Sequence, residues 1–277
     1  DDEKGLAFNR KSPYQKILIA IAGPLFNILL ALLLYVGIAL HGVPHLKPIV
    51  ADYNPQGKVI NWLHIENGTE IIAINQIKPD SWSMADSLFS KASLESDNVI
   101  LTTSYNGQVK SNLLDLTKLR DKKTKGKLYL EDIGLLPFQY LPIISYVETG
   151  SSAFKSGLKE GDKVITIDEV AINDWFQVTQ IIQNSPNKIL KFKVLRQNKV
   201  VSLPVPVALI SRDGHDIGKI GIMPTLNSNL LQKNSFIQHY NFIGSVKYSL
   251  DECYNIVFIY LSGIYGILTG NLSWHNI

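Results

Sequence analysis

The sequence is poor in cysteine and in net charge, and both shortages exclude classes of function. It has a single cysteine, Cys253, so no disulfide can form within the chain and no zinc cluster can be built from several cysteines. The net charge is only +3, and no basic stripe is interleaved with aromatic residues. The electrostatic pattern of a nucleic-acid-binding protein is therefore missing, and we expect no nucleic-acid partner.

Charged residues make up only 18% of the chain, and hydrophobic residues make up 45%. A protein that crosses the membrane many times is more apolar than this. A chain of 277 residues has room for one membrane helix and about two domains of ordinary size. Most of this chain is therefore predicted to lie outside the membrane.

One long hydrophobic run stands out at residues 17–40, which carry no charged side chain. About 20 such residues cross a bilayer core of roughly 30 Å, so the run predicts a transmembrane helix. Pro24 and Asn27 interrupt it, because proline kinks a helix and a buried amide needs a partner. They predict that the helix packs against other protein in the membrane. The alternative is a tolerated kink, with Asn27 bonded to a carbonyl of its own helix.

The flanks of this run differ in basic residues, which predicts an orientation. Arg10, Lys11 and Lys16 precede the run, whereas only Lys47 lies close behind it. Lysine and arginine in short flanks mark the cytoplasmic side of a membrane. We therefore expect residues 1–16 to form a cytoplasmic segment and the rest of the chain to lie outside. The opposite orientation is the alternative.

Beyond residue 46 the chain changes to short β-rich runs separated by turns, and this pattern occurs twice. Trp82 and Trp175 occupy matching positions just before a helical segment. The triplets Ile-Ala-Ile at 72–74 and Ile-Thr-Ile at 165–167 also match, and each copy closes on a predicted hairpin and a strand that begins Ile-Gly. Internal repetition of this kind predicts two copies of one fold in tandem.

The second copy contains a specific signature, SSAFKSGLKEGD, from Ser151 to Asp162. Its small residues permit one tight helical turn, Gly161 permits a turn with positive φ, and Asp162 can bond the loop backbone. The pattern closely resembles the signature of a PDZ domain. The first copy is degenerate at this place, so its assignment depends on the repeat. The resemblance implies two tandem PDZ-like domains, over residues 46–137 and 138–226.

PDZ domains bind a peptide by adding a strand to the edge of a sheet, while a glycine-containing loop holds the terminal carboxylate. If the strand order is circularly permuted, the groove strand is the last strand of each copy. The polar stretch 211–219 has the composition of such a carboxylate loop. A peptide with a hydrophobic C-terminus is the expected ligand; the alternative is that both strands are ordinary buried ones. The implied peptide-binding residues are Gly134, Leu135, Gly221, Ile222 and Met223.

Residues 227–277 belong to neither copy. The apolar run from Asn255 to Leu268 is short for a span, and lengthening it would bury Asp251 and Glu252. We predict an amphipathic helical segment that lies on the membrane or docks on the membrane domain, with a second span as the alternative. The predicted fold class is α+β: one transmembrane α-helix, two tandem PDZ-like β-rich domains and a C-terminal amphipathic helical segment.

Taken in order, these features resemble the RseP type of bacterial site-2 protease, an intramembrane zinc metalloprotease. The resemblance covers nearly the whole chain, including Ala22-Gly23-Pro24 and Asn27 in the membrane helix. It implies regulated intramembrane proteolysis in the bacterial inner membrane, with a membrane-spanning anti-sigma factor as substrate and a periplasmic PDZ pair that filters substrates. It also implies that Gly23, Pro24 and Asn27 pack in the membrane core beside the helix that carries zinc.

The chain departs from that family at the zinc site. The family uses H-E-x-x-H, in which glutamate is the base, and an aspartate in an L-D-G motif; neither occurs here. His41 and His45 have the right spacing, but no glutamate lies between them and Pro44 interrupts any helix. We therefore expect no catalytic residue and no metal ligand in this chain, and zinc only in the complete family enzyme.

Three interpretations remain open at this stage. The first is an internal or truncated portion of the protease, inactive alone. The second is a non-catalytic, membrane-tethered adaptor that binds peptides. The third is a chain that acts together with separately encoded catalytic portions.

Overall fold

The computed structural model describes residues 12–54, 65–117, 119, 128–212 and 215–268. Helices and strands are mixed along the chain. The chain divides into two compact units. One unit comprises the chain up to Pro44 and from Ile237 onward, and the other is His45–Phe236. Most of the predicted cytoplasmic segment, residues 1–11, lies outside the described residues, as do residues 269–277.

The long helix α1 (Pro13–His41) dominates the first unit. It begins at Pro13 rather than at residue 17, because Ser12 caps it. The Ser12 hydroxyl accepts a hydrogen bond from the Gln15 N–H, and the Gln15 side chain accepts one from the Ser12 N–H, which is a capping box. Within the described part of the chain, α1 is the one helix long and apolar enough to cross a membrane.

A second long helix packs against α1 in the same unit. Its bounds are Phe242–Leu268, and we call it α6. Ser245 and Ser249 are fully buried, and the Ser249 hydroxyl donates to the Ser245 carbonyl at 2.7 Å. The helix expected in the C-terminal segment is therefore present, whereas its amphipathic character stays a prediction.

The second unit contains one series of elements twice. β1 (Val43–Leu46) lies before the first series and β15 (Ser235–Gln238) lies after the second, each at a boundary of the unit. The first series is β2 (Asp52–Tyr53), β3 (Glu70–Ile74), α2 (Trp82–Glu95), β4 (Asn98–Tyr105), β5 (Gln108–Asp115) and β6 (Leu135–Leu136). The second series begins with β7 (Tyr140–Val147), α3 (Ser152–Lys155), β8 (Lys163–Ile167), β9 (Val170–Ala171) and α4 (Trp175–Gln183). It continues with β10 (Ile189–Arg196), β11 (Lys199–Pro206), β12 (Ala208–Arg212), β13 (His215–Lys219) and β14 (Ile222–Leu226), and α5 (Ser228–Asn234) follows.

The main sheet of the second series has the order β11-β10-β8-β7-β14, with β9 beside β8. β14 therefore lies at the edge of this sheet. The first series forms a three-stranded sheet, β3-β4-β5, and a separate pair, β2-β6. Each series surrounds its own hydrophobic core, and the largest fully buried side chains of the two cores are Phe89 and Phe192.

The repetition seen in the sequence is also present in the backbone. α2 and α4 begin at the matched tryptophans, Trp82 and Trp175. β3 and β8 share one pattern of burial along the strand, and so do β4 and β10. The assignment of the two series as separate domains stays a prediction, because His45–Phe236 forms one compact unit.

One sequence-based expectation is wrong. The polar stretch 211–219, expected to be a loop, is largely an antiparallel hairpin in which β12 pairs with β13. Ile210 faces Ile217 across this hairpin, and such cross-strand apolar pairs stabilise two strands even where most of their residues are polar.

Candidate functional site

A groove lies between the edge strand β14 and helix α4. It contains a cavity of about 160 Å³. From α4, the lining residues are Trp175, Thr179, Ile182 and Gln183, and from the chain before and within β14 they are Gly218, Lys219, Ile220, Gly221 and Ile222. Three of the predicted peptide-binding residues belong to this copy, and the structure brings Gly221 and Ile222 to the groove. Met223 is next on β14 and its side chain is more than half exposed.

The hydrogen bonds of β14 leave its outer side open. The Glu148 N–H donates to the Gly221 carbonyl at 2.9 Å, and Ile222 lies opposite Val147 on β7. In an antiparallel ladder this makes Ile222 a non-hydrogen-bonded partner, so its own N–H and C=O face away from β7. Among the strands of the described residues, none pairs with β14 on that side. A free strand edge of this kind accepts another strand.

Two glycines allow the chain to pass closely around this groove. Gly221 has φ of +83°, and a Cβ there would press on the Ser151 side chain. A Cβ at Gly218 would overlap the backbone carbonyl of Ile182 at the end of α4. The close approach of β13 to α4 therefore requires glycine at position 218, and no local sequence pattern indicates this requirement.

The predicted signature segment supports the loop at the head of the groove. The Ser151 hydroxyl caps α3 by accepting from the Phe154 N–H, and the Ala153 N–H donates to the Ile220 carbonyl at 2.9 Å. Gly161 has the expected positive φ. These bonds tie the single turn of α3 to the residue that precedes Gly221.

Asp162 bonds the loop backbone as predicted, and it also has a partner that the sequence did not reveal. Its side chain is fully buried and accepts from the Lys159 N–H at 2.9 Å. The Arg196 guanidinium binds both carboxylate oxygens at 2.7 Å and donates to the Gly157 carbonyl at 2.8 Å. Arg196 lies at the far end of β10, so no local motif connects it with Asp162.

The corresponding groove of the first copy lies between β6 and α2. A cavity of about 330 Å³ remains there, with Trp82 and Asp86 on the side of α2 and Leu135 and Leu136 on the side of β6. Residues of the segment before β6, Tyr129, Glu131 and Asp132, form another wall of this cavity. Both leucines of β6 are buried. The N–H groups of Gly134 and Leu135 already donate to carbonyls of Glu131 and Leu130. The structure thus places the predicted residues of this copy at a groove, but their backbone donors are occupied.

The predicted membrane-core residues lie on an exposed part of α1. Gly23, Pro24 and Asn27 are all exposed, and a Cβ at Gly23 would meet no atom within 4 Å. An apolar groove lies on the same stretch, lined by Ala22, Leu25, Phe26, Ile28, Leu29 and Leu32. The role of these three residues in packing stays a prediction.

Among the carboxyl groups in the part of the chain that the structure describes, that of Asp52 in β2 has the pKa that is shifted most strongly. Its pKa is raised from 3.8 to about 6, chiefly by burial and to a smaller extent by the negative charge of Asp174. Its Oδ1 accepts from the Tyr53 N–H at 2.9 Å, which opposes this shift, as does the side chain of Asn67. Its Oδ2 is buried without a hydrogen-bond partner.

Over the ranges that the structure describes, no three His, Cys, Asp or Glu side chains come together in a way that could hold a metal ion. His41 lies at the end of α1, and the ring of His45 is tilted against that of Phe236, with 5.8 Å between the ring centroids. These residues therefore do not fit a zinc site, and we assign no step of metal chemistry to them.

Known proteins resemble this chain along its whole length. The model of peptidase family M50 matches residues 1–277. The regulator of sigma-E protease RseP of Escherichia coli K12 is 25% identical over 274 residues, which cover 98% of this chain and 60% of that protein. The regulator of sigma E protease of Haemophilus influenzae is 26% identical over 280 residues, which cover 100% of this chain and 61% of that protein.

A Vibrio cholerae protein whose name describes a zinc metalloprotease is 26% identical over 283 residues, covering 100% of this chain and 62% of its own length. This chain therefore spans about 60% of the length of the curated relatives that it matches. Among solved structures, the PDZ domain of an SdrC-like protein from Listeria monocytogenes is similar over 32% of this chain and 90% of that domain, with 21% identity and a TM-score of 0.27. The family match over the full length is decisive: the chain belongs to peptidase family M50.

Proposed function

We propose that this chain is the membrane-tethered, substrate-binding part of a site-2-type intramembrane zinc metalloprotease, and that its peptide site is the groove between β14 and α4. The observation that carries this proposal is the open edge of β14. There the Ile222 N–H and C=O face away from the sheet, beside a cavity lined by α4. A peptide strand would pair with Ile222 and extend the sheet.

The chemistry of the groove favours a peptide that ends in an apolar residue. Ile182 and Ile222 offer an apolar surface for one side chain, and Trp175 adds an aromatic ring. The chain turns sharply at Gly221, so the adjacent backbone N–H groups are suited to a terminal carboxylate. Such an end arises when another protease has already cut a membrane-spanning substrate, and an anti-sigma factor is the substrate that the family resemblance implies.

The tether and its orientation belong to the same proposal. α1 would span the bacterial inner membrane with its N-terminal end in the cytoplasm, because basic residues precede it, and the groove would then lie in the periplasm. The relatives are longer than the region they share with this chain. In this proposal, proteolysis and zinc binding belong to other parts of such a protein.

A binding experiment on the full chain in detergent tests the groove. Labelled peptides that end in valine or leucine are titrated, together with the same peptides carrying a C-terminal amide. We expect saturable binding of the free acid, weaker binding of the amide, and loss of binding in Ile222→Asp. The matched control is Val200→Asp, which changes an exposed residue of β11 at the opposite edge of the same sheet.

Binding that survives Ile222→Asp would contradict the proposal, provided that circular dichroism shows both variants to be folded. Equal loss of binding in both variants would contradict it as well, since the effect would then not belong to the β14 edge.

A further inference from the structure

The groove of the first copy is crossed by a segment of its own chain, Leu128–Gly134, which we call the plug. The Ser93 hydroxyl accepts from the Leu128 N–H at 3.0 Å, and Asp86 Oδ1 accepts from the Leu130 N–H at 2.8 Å. Ser93 and Asp86 lie about two turns apart on α2, so they share one face of that helix. Two hydrogen bonds therefore hold the plug against the face of α2 that borders the groove.

The plug also occupies the strand edge on the other side of the groove. Leu135 lies opposite Tyr53 on β2, and the Asn54 N–H donates to the Gly134 carbonyl at 2.9 Å. This register turns the Leu135 N–H away from β2, as Ile222 is turned away from β7. That N–H donates to the Leu130 carbonyl at 2.9 Å. The donor that an added strand would need is already used within the chain.

Apolar packing holds the plug in place. Leu130 and Ile133 are fully buried, Leu128 is 2% exposed, and all three belong to the core that surrounds Phe89. To free the groove, these side chains would have to leave the core and several backbone bonds would have to break without compensation.

The second copy has no equivalent closure. At the place of the plug it has β13, which belongs to a hairpin and approaches α4 through Gly218. The Ile222 N–H faces the open edge, and the part of the chain that the structure describes offers no acceptor to the Gly221 N–H.

We propose that the plug is a permanent intramolecular ligand of the first groove, so that the two copies together bind one peptide strand, at β14, and not two. The plug itself follows from the hydrogen bonds of α2 and β6. The stoichiometry rests in addition on the proposed function of the second groove.

Amide hydrogen exchange, followed by NMR on the full chain in detergent micelles, tests the plug without any ligand. We expect the Leu130 and Leu135 amides to be protected and the Gly221 and Ile222 amides to exchange at least about tenfold faster. Leu135 exchange as fast as that of Ile222 in the unaltered chain would overturn the proposal.

A pair of variants then tests the clamp on α2. Asp86→Ala removes the acceptor of the Leu130 N–H and should speed exchange at Leu130 and Leu135 by about tenfold. Glu95→Ala, on the exposed end of the same helix, should leave both amides unchanged. If Asp86→Ala fails to fold, the comparison of Leu135 with Ile222 in the unaltered chain still decides the matter.

Calorimetric titration with the valine-ended peptide counts the sites. We expect one peptide per chain in the unaltered protein and none in Ile222→Asp. Two peptides per chain would overturn the plug and leave the proposed function standing. No binding at all would overturn the proposed function, and the exchange pattern would still show whether the plug closes the first groove.

Discussion

Asp162 holds a negative charge where water does not reach it, and Arg196 neutralises that charge from another strand. The guanidinium binds both oxygens at 2.7 Å, and one quarter of the arginine side chain remains exposed. A buried carboxylate that loses its partner destabilises the fold far more than a surface ion pair does. The signature segment of the second copy therefore depends on a residue that lies well outside it.

Arg196→Ala should lower the free energy of unfolding by about 2–3 kcal/mol, because Asp162 would stay buried and lose its charged partner. Urea denaturation of the full chain in detergent, followed by tryptophan fluorescence, measures this. Lys193→Ala is the control, since Lys193 bonds the exposed Glu169 at 2.7 Å and should contribute less than about 1 kcal/mol. Equal losses in the two variants would show that burial of Asp162 does not matter.

Asp52 makes stability depend on pH in the direction opposite to that of a salt-bridged carboxylate. Its pKa is raised to about 6 in the folded state, so the folded chain binds this proton more tightly than the unfolded chain. The stabilising contribution is complete below about pH 4 and is lost as the pH rises through about 6. Asp174 is the charged neighbour that reinforces the shift.

Asp52→Asn should therefore stabilise the chain at about pH 7.5 by about 1–2 kcal/mol and have little effect near pH 4. The amide keeps an acceptor for the Tyr53 N–H and carries no charge to be buried. Unfolding in urea across this range of pH gives the difference at each point. A difference that does not change with pH would mean that Asp52 is not the titrating group.

At the scale of elements, the close packing of β13 on α4 determines the shape of the groove beside β14. Gly218 makes this packing possible, because any side chain there would collide with the Ile182 carbonyl. The same two residues line the cavity beside β14. A change at this contact should therefore affect stability and binding together.

Gly218→Ala should cost about 1–3 kcal/mol of stability, as overpacking does, and should weaken peptide binding. Thermal unfolding and the peptide titration measure the two effects. Gly37→Ala is the control: it lies within α1 with open space around it, so it should not destabilise the chain. Unchanged stability in Gly218→Ala would mean that β13 and α4 can separate at no cost.

Elements with local signals were predictable from the sequence. The matched tryptophans indicated where α2 and α4 begin, and SSAFKSGLKEGD indicated the turn of α3. The start of α1 was also within reach, because Ser12 and Gln15 have the spacing of a capping box.

Features made by distant residues were not predictable in this way. Arg196 and Asp162 meet only because β10 lies beside β8, and the plug closes its groove through Asp86, which is far away in the sequence. The hairpin of β12 and β13 was missed because polar composition suggests a loop, whereas pairing depends on which residues face each other. For the same reason, the sequence could not distinguish the closed groove from the open one.

At the scale of the whole molecule, the two copies share a plan but bury separate cores. Phe89 is fully buried in one core and Phe192 in the other. If the copies act as separate domains, damage to one core should not abolish the function of the other. This is the prediction of tandem domains in a form that can be measured.

Phe192→Ala should abolish peptide binding, whereas Phe89→Ala should leave it largely intact, although each should cost about 3–5 kcal/mol in its own core. Two melting transitions would support two domains if Phe89→Ala lowers the temperature of one transition and Phe192→Ala lowers that of the other. Calorimetry and the peptide titration measure both effects. A single transition that both variants lower equally, together with loss of binding in both, would show one cooperative unit.

The edge of β14 is also short, and Pro224 is the reason. Proline has no N–H, so the ladder that an added strand could build beyond Ile222 soon lacks a donor. A bound strand would thus be held by a few residues at its end and not along its length. If β14 binds a peptide as proposed, the site would recognise the free end of a polypeptide, so it could bind cleaved proteins of unrelated sequence and would not bind intact ones.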